Sequence, residues 1–234
     1  MSLRTALDFS LATYGLAESG VPLWWRPPES DCDLLIVAGI HGEEPETTVS
    51  LSRAARSIPL SELHPGVGWI LCANPDGITS GTRGNLNGVD LNRNFPTQNW
   101  QAEPVSCRWH ADEDIKIPIS TGSAPASESE TQSLIELISL AKPSRILALH
   151  GPLACIDDPD TSPLGRWIAE KSKLPLVSEI GYPTPGSLGT WGAEHGIPVI
   201  TWEFPPDGIE SLSRSQVPIL TRLLRGDYPD STKM

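Results

Sequence analysis

Four short runs of apolar residues stand out along the chain, and each is rich in branched side chains. They are LLIVAGI (residues 34–40), GWILCAN (68–74), RILALH (145–150) and IPVITWEF (197–204). Continuous apolar runs of this length are typical of strands that are buried on both faces of a sheet. The pattern therefore predicts four core strands.

Segments with helical character separate these runs. Residues 44–58 begin with Pro45 among acidic residues, which suits the first turn of a helix. In residues 126–143, Ser127 and Glu130 have the spacing of a capping box, followed by an apolar face. Both segments are predicted to be helices.

Two weaker helices are predicted over residues 162–172 and 213–226, and the second contains Pro218. Strands that alternate with helices indicate an α/β layer fold. No repeat, linker or change of composition marks a second domain, so we expect residues 1–234 to form one domain. Residues 75–126 differ from the rest, because they are rich in Gly, Asn, Pro and Trp and show little periodicity. A segment of this length without regular structure usually carries function.

Composition and charge exclude some classes of partner. The 234 residues carry a net charge of −12, which repels phosphate backbones and argues against a nucleic-acid partner. No apolar stretch approaches the ~18–20 residues needed to cross a bilayer. The N-terminus lacks the pattern of a signal peptide, so a cytoplasmic location is expected. The four cysteines form no C-x-x-C pair and are predicted to be small buried thiols. Nothing in the sequence indicates an oligomeric state.

Candidate metal ligands lie at the ends of two predicted strands. His41 and Glu44 follow the first core run, and His150 ends the third. In open α/β sheets the carboxyl ends of the strands form the edge where ligands bind. Two His and one Glu would leave a fourth position open, as catalytic zinc requires. Taken singly, a histidine at such a position is more often a hydrogen-bonded residue at a strand end.

The other three histidines lie in turn-like or acidic surroundings. They are His64, His110 and His195, and all three are predicted to lie on the surface.

Two further groups of charged residues have chemical potential. The stretch TRGNLNGVDLNRNFP (82–96) places Arg83, Asp90, Asn92 and Arg93 in one loop. Guanidinium groups recognise carboxylates and stabilise oxyanions, although such a loop on its own also fits a solvated turn. Glu203 follows apolar residues near the end of the fourth run, where burial should raise its pKa toward the range of a general base. A purely structural carboxylate is the alternative.

Seven short motifs occur in an order that resembles the zinc metallocarboxypeptidase family. They are HGEE, NPDG, GVDLNRNFP, SESETQ, ALHGPLACIDDP, GYPTPGSLGTWG and EFPPD, and together they span about residues 34–207. Within that family, the motifs are most similar to those of bacterial amidases that hydrolyse the γ-D-glutamyl-meso-diaminopimelate bond of murein peptides, in cell-wall recycling. The resemblance implies a mixed, twisted eight-stranded sheet flanked by helices.

The resemblance also implies roles for individual residues. His41, Glu44 and His150 match the ligands of one zinc ion per chain. Glu203 matches the glutamate that activates water at the zinc and then protonates the leaving amine. Arg83 matches the arginine that polarises the scissile carbonyl.

Other matched positions concern the substrate and the ligand geometry. Asn92 and Arg93 match the pair that grips the terminal carboxylate of a small peptide substrate. Asp90 matches the aspartate that orients the first histidine ligand. Tyr182 lies near the family's mobile tyrosine, one residue out of register, and a plain loop tyrosine fits equally well. Leu188 falls where the family lines its specificity pocket.

Asp157 and Asp158 follow the third ligand closely and would suit the ammonium group of diaminopimelate; a capped turn before Pro159 is the alternative. Two other functions fit the motifs less well. One is a related zinc acylase of the aspartoacylase or succinylglutamate desuccinylase kind. The other is an inactive module that binds wall peptides.

Overall fold

The computed structural model describes residues 10–108 and 115–229 of the chain. The described part contains ten strands. They are β1 (Ala12–Leu16), β2 (Pro22–Trp25), β3 (Leu34–Val37), β4 (Val67–Ile70), β5 (Val105–Arg108), β6 (Lys116–Ile119), β7 (Ile146–His150), β8 (Cys155–Asp157), β9 (Leu176–Val177) and β10 (Val199–Glu203). The four strands predicted from the apolar runs are β3, β4, β7 and β10. Each is shorter than the run that predicts it.

Six of these strands form the central sheet, in the order β4-β3-β7-β10-β8-β9. The four predicted strands are mutually parallel, and β8 pairs antiparallel with β10. Every residue of β3, β4 and β7 is buried, as continuous apolar runs predict. The sheet is therefore mixed, as expected.

The expected number of eight sheet strands is wrong for the described residues, since the sheet has six. The hairpin β1–β2 does not add strands to this sheet. A single antiparallel bridge connects Arg26 and Trp69, whose backbone N–H groups each donate to the other's carbonyl at 2.8 and 3.1 Å. Pro27 and Pro28 follow at once, and proline has no N–H with which to extend the ladder.

Seven α-helices occur in the described part of the chain. They are α1 (Pro45–Ser57), α2 (Pro75–Ser80), α3 (Ser129–Ala141), α4 (Pro163–Ser172), α5 (Leu188–Glu194), α6 (Ile209–Ser215) and α7 (Val217–Leu224), and two short 3-10 turns lie at Leu60–Glu62 and Leu91–Arg93. No helix among the described residues is long and apolar enough to cross a membrane.

Two predicted helices differ in detail. The segment predicted as one helix over 213–226 belongs to two, α6 and α7, because Pro218 lies in the first turn of α7, where its missing N–H costs no hydrogen bond. The capping box on Ser127 is wrong, since Glu128 occupies the N-cap position of α3 without a side-chain cap. Ser127 instead donates to the Glu128 carboxylate at 2.5 Å.

The sheet separates two hydrophobic clusters, and alternate residues of each strand point to opposite clusters. Leu34 and Ile36 belong to the first cluster, with side chains from α1, α4, α6 and α7. Leu35 and Val37 belong to the second, with side chains from α3 and α5. This period of two follows from the pleat of a strand. The result is a three-layer arrangement with helices on both faces.

The poorly periodic segment 75–126 contains more structure than predicted. It includes α2, the 3-10 turn Leu91–Arg93 and the hairpin of β5 and β6, whose strands pair antiparallel. The turn is held against the hairpin by a bridge between Val89 and Ser120.

Candidate active site

Three buried side chains converge at the carboxyl edge of the parallel strands. His41 follows β3, Glu44 is the N-cap residue of α1, and His150 is the last residue of β7. Their ligand atoms lie within 4.8 Å of one another, and the imidazole centroids are 4.7 Å apart. The three residues that the strand-end pattern selects are therefore brought together.

The spacing of the two imidazole nitrogens suits a tetrahedral zinc ion. Zn–N bonds of ~2.0–2.1 Å place two ligand nitrogens of a tetrahedral site about 3.3 Å apart. The Nδ1 atoms of His41 and His150 are 3.2 Å apart. Oε1 of Glu44 lies 2.7 Å from Nδ1 of His41, and Oε2 lies 3.1 Å from Nδ1 of His150. The donor set, two imidazoles and one carboxylate, is also one that zinc accepts.

Asp90 fixes the orientation of the first histidine. Its Oδ1 lies 3.1 Å from Nε2 of His41 and accepts the backbone N–H of Asn92 at 2.9 Å. When Nε2 carries the proton donated to Asp90, the lone pair of Nδ1 faces the ligand group. Asp90 has no solvent exposure, and Arg83 holds its pKa well below its usual range, so it stays ionised despite burial.

Arg83 neutralises the carboxylates around the ligands. Its Nε donates to Oδ2 of Asp90 at 2.7 Å, and its Nη1 donates to Glu43 at 2.9 Å and lies 3.6 Å from Glu44. Burial and Arg83 lower the pKa of His41, but Glu44 and Asp90 raise it more, to about 9. The carboxylates therefore favour positive charge at this position. A divalent cation would supply the same positive charge, and its binding would release the imidazole proton.

Glu203 lies beside the ligand group at the end of β10. It is opposite His150 in the parallel register of β7 and β10. The residue is 8% exposed, and one carboxylate oxygen accepts the N–H of Leu153 at 3.4 Å. Burial and the nearby Glu44 raise the pKa of Glu203, and His150 opposes them. A buried carboxylate with a raised pKa has the properties of a general base.

The side chains of Asn92 and Arg93 lie on the same 3-10 turn, next to Asp90. Oδ1 of Asn92 accepts the N–H of Leu188 at 2.8 Å, and its Nδ2 makes no hydrogen bond to the residues that the structure describes. Nη1 of Arg93 donates to the Asn92 carbonyl at 2.6 Å. Arg93 and the half-exposed Tyr182 line a cleft of about 480 Å³. An amide donor and a guanidinium at a cleft suit a carboxylate ligand.

Two expected substrate contacts do not fit the structure. The side chain of Leu188 is 1% exposed and packs in the second hydrophobic cluster, so it does not line an open pocket. Asp158 accepts three hydrogen bonds from the turn that follows it: from the N–H and hydroxyl of Ser162, both at 2.7 Å, and from the N–H of Asp160 at 3.3 Å. The capped turn is therefore the correct interpretation of Asp158.

Asp157 is in a different position from its neighbour. Its Oδ1 atom is buried and has no hydrogen-bond partner in the described structure. Burial and Asp158 raise the pKa of this carboxyl group. A buried acceptor without a donor costs free energy. Hydrogen bonds from the turn compensate the burial of Asp158, whereas no donor among the described residues compensates the burial of Oδ1 of Asp157.

The remaining histidines and cysteines do not join the site. His64 is half-buried and accepts the N–H of Gly66, and His195 is exposed and stacks on Trp191 with ring centroids 4.3 Å apart. His110 lies outside the described residues. All four cysteines are free; three are buried, and Cys72 is half-buried.

Residues that hold the loop of His41 and Glu44 in place were not predicted from the sequence. Asn74 donates from Nδ2 to the carbonyl of Ile40 at 3.1 Å and accepts the N–H of Gly77 at 2.9 Å. Gly42, between the ligands, touches Gly77 so closely that a Cβ on Gly42 would lie 2.0 Å from the Gly77 carbonyl carbon. The motif NPDG was the available signal, because Asn before Pro is a frequent start of a helix.

The fold and the geometry of the site define a zinc carboxypeptidase. Residues 29–154, more than half of the chain, match the zinc carboxypeptidase family, and the chain belongs to this family.

Relatives within the family are more specific. The chain is 43% identical to murein peptide amidase A of Escherichia coli (strain K12), over 94% of this chain and 91% of that protein. It is 40% identical to the protein of the same name from Vibrio campbellii, over 97% and 92%. The crystal structure of the murein-tripeptide amidase MpaA from Escherichia coli O157 superimposes with a TM-score of 0.92 at 41% identity, covering 97% and 96%. Thrombin-activatable fibrinolysis inhibitor shares the fold alone, with a TM-score of 0.71 at 19% identity over 93% and 70%.

Proposed function

We propose that the protein hydrolyses the γ-D-glutamyl-meso-diaminopimelate amide bond of murein peptides, with one zinc ion per chain. The observation that carries the proposal is the convergence of His41, Glu44 and His150 beside Glu203. The identity of 43% to murein peptide amidase A supports the choice of substrate. The cytoplasmic location predicted from the sequence suits an enzyme that recycles released peptides.

His41 Nδ1, Glu44 and His150 Nδ1 would hold the zinc ion. When bound, zinc supplies a Lewis acid that polarises a carbonyl group and lowers the pKa of water toward ~7. Asp90 keeps His41 in the tautomer that presents Nδ1, through its bond to Nε2.

Glu203 acts as the general base and then as the general acid. Its carboxylate takes a proton from the attacking water and passes it to the nitrogen of the departing diaminopimelate. The raised pKa of Glu203 suits both steps, because a base whose pKa lies closer to the working pH returns its proton more readily.

Arg83, Asn92 and Arg93 recognise the charges of the substrate. Nη2 of Arg83 makes no hydrogen bond among the described residues, so it is available to the carbonyl oxygen on which negative charge develops. Nδ2 of Asn92 and the guanidinium of Arg93 hold the terminal carboxylate of the substrate. The site is therefore expected to prefer substrates that end in a residue with a free carboxylate. Tyr182 lines the cleft that this substrate residue would enter.

Asp157 supplies the contact for the ammonium group of diaminopimelate. In the antiparallel pairing of β8 and β10, Asp157 is opposite Thr201, and Cys155 is opposite Glu203. Residues two apart on a strand point to the same face, so Asp157 shares the face of Glu203. Diagonal neighbours of this kind lie ~7–8 Å apart. Because Oδ1 is closed to solvent, an ammonium donor from the substrate would reach it only if the side chain turned toward the site.

A hydrolysis screen of the zinc-loaded protein tests the proposal. The tripeptide L-Ala-γ-D-Glu-meso-diaminopimelate should be cleaved to release diaminopimelate. The same peptide with an amidated terminal carboxyl should be a poor substrate, because Asn92 and Arg93 lose their partner. N-acetyl-aspartate and N-succinyl-glutamate test the acylase alternative. Preferential cleavage of either of these would reject the murein assignment, and zinc binding without any hydrolysis would indicate a binding module.

A further inference from the structure

The motif SESETQ contains two buried glutamates that the proposed mechanism does not use. Glu128 and Glu130 lie at the start of α3 and are 4% and 2% exposed. Carboxylates buried this deeply are costly unless donors surround them. Among the described residues, three of the six hydrogen bonds that these carboxylates accept come from the loop that carries Arg83 and Asp90.

Asn85 is the centre of this contact. Its Nδ2 donates to Oε2 of Glu128 at 2.8 Å and to Oε2 of Glu130 at 3.1 Å. Its Oδ1 accepts the N–H groups of Asn87 and Val89, both at 3.1 Å. Every hydrogen-bonding position of this side chain is therefore occupied, and the residue is 4% exposed.

A second asparagine holds the other end of the same loop. Asn94 has no solvent exposure, and its Oδ1 accepts the N–H of Glu128 at 3.2 Å. Its Nδ2 donates to the hydroxyl of Ser127 at 3.1 Å. Residues 127–130 therefore form hydrogen bonds with the loop near both of its ends, at Asn85 and at Asn94. Most of the loop residues proposed to act on substrate and metal lie between these two contacts.

We propose that Glu128 and Glu130, through Asn85, are positioning residues that set the conformation of the loop from Arg83 to Asn94. The loop presents Asp90 to His41 and Arg83 to the carboxylates beside the metal ligands. Asn85 lies between Arg83 and Asp90, so a change of its anchor is transmitted to both. This inference deepens the proposed function and rests on it for the effect on catalysis, but its effect on metal affinity is independent of the substrate.

The carboxylates of Glu18, Glu128 and Glu130 also lie within 4.8 Å of one another, which is a spacing that suits a cation. The oxygens already accept amide hydrogens: Glu130 accepts the N–H of Glu18 at 3.1 Å, and Glu128 accepts Nδ2 of Asn87 at 2.9 Å. Fixing a loop accounts for this arrangement without a further ligand.

The variant Asn85→Ala tests the proposal, with zinc affinity and steady-state kinetics as readouts. Loss of the anchor should weaken zinc binding by about 10- to 100-fold, as loss of groups that orient metal ligands does, and should lower kcat as well as raise KM. The matched control is Leu134→Ala, which removes a buried side chain from the same helix but leaves the hydrogen bonds of Glu128 and Glu130 in place. The control should lower Tm but leave zinc affinity and kcat unchanged well below Tm.

The isosteric variant Glu128→Gln provides a rescue, because its amide oxygen still accepts from Asn85 and Asn87. It should behave like the wild type, whereas Glu128→Ala should resemble Asn85→Ala. If Asn85→Ala does not fold, this pair decides the question. Unchanged zinc affinity and kinetics in folded Asn85→Ala, or equal losses in the Leu134→Ala control, would overturn the inference. Wild-type protein that binds zinc but does not cleave the tripeptide would instead reject the proposed function. The zinc affinities of the variants would still test the positioning role of Glu128 and Glu130.

Discussion

Asp90 and His41 form a buried pair in which the carboxylate oxygen Oδ1 lies 3.1 Å from the imidazole Nε2. The pair connects an asparagine-rich loop to a residue that follows a core strand. Its geometry selects which imidazole nitrogen faces Glu44 and His150. We therefore expect this relationship to influence how tightly His41, Glu44 and His150 would hold a metal ion.

Replacing Asp90 with Asn keeps the shape of the side chain and removes its charge. We expect zinc affinity to fall by about 10- to 100-fold, because an amide no longer favours the proton on Nε2 of His41. Competition with a chromophoric chelator measures the change. Glu103→Gln removes an exposed charge elsewhere and should have no effect. Wild-type affinity in Asp90→Asn would contradict the orienting role.

Replacing His150 with Ala removes one of three ligands. Two remaining ligands do not make a stable zinc site, so stoichiometric zinc should be lost after dialysis. Metal analysis of the purified variant measures this, with His64→Ala as the control histidine outside the site. A full complement of zinc in His150→Ala would mean that the third ligand is another residue.

Replacing Glu203 with Gln removes the proposed base without disturbing the ligands. Turnover of the tripeptide should fall by at least ~10³, within the range of general acid–base effects, and zinc content should stay at one ion per chain. Single-turnover kinetics separate the chemical step from product release. Near-normal turnover would remove Glu203 from the mechanism.

Replacing Asp157 with Asn should change substrate preference rather than the chemical step. A charge-assisted hydrogen bond is worth about 1.5–3 kcal/mol, so KM for the diaminopimelate tripeptide should rise roughly 10- to 100-fold. A peptide that ends in 2-aminopimelate keeps the carboxylates and lacks the ammonium group. The variant and the wild type should process this peptide alike. An equal loss on both peptides would show that Asp157 does not recognise the ammonium group.

The same substitution should change the dependence of stability on pH. The pKa of Asp157 is raised above its ordinary value of 3.8 in the folded protein. An acid of this kind destabilises the fold above its folded pKa, and the penalty disappears below its unfolded pKa. In urea titrations without metal, Asp157→Asn should therefore be more stable than wild type at pH 7 and equal to it near pH 3. Asp160→Asn, at an exposed position, should show no such difference.

The core of the fold was predictable from hydrophobic pattern, whereas its periphery was not. The strands β3, β4, β7 and β10 have continuous apolar runs that few other structures produce. The hairpin strands β1 and β6 are only partly buried, and β8 has three residues, so their patterns are too weak or too short. Helix α5 carries Gly189 and Gly192, which dilute its helical signal.

The ligand group was predictable because strand ends at one edge of a parallel sheet must lie together. Residues on irregular loops were harder to assign. Asp157 and Asp158 are neighbours of the same type, yet one caps a turn and the other has an unpaired oxygen. The difference depends on where Ser162 folds back, and no periodicity encodes that. The anchoring by Asn85 likewise joins residues more than forty positions apart.

The contact between Gly42 and Gly77 leaves no room for a side chain at position 42, beside the candidate metal ligands. Main chain meets main chain there, and an ideal Cβ on Gly42 would also lie 2.4 Å from the Thr82 carbonyl oxygen. A methyl group at position 42 would push the loop that carries His41 away from the start of the Arg83 loop. The positions of the three candidate ligand atoms thus depend on two residues that contribute no functional group, only the absence of a side chain.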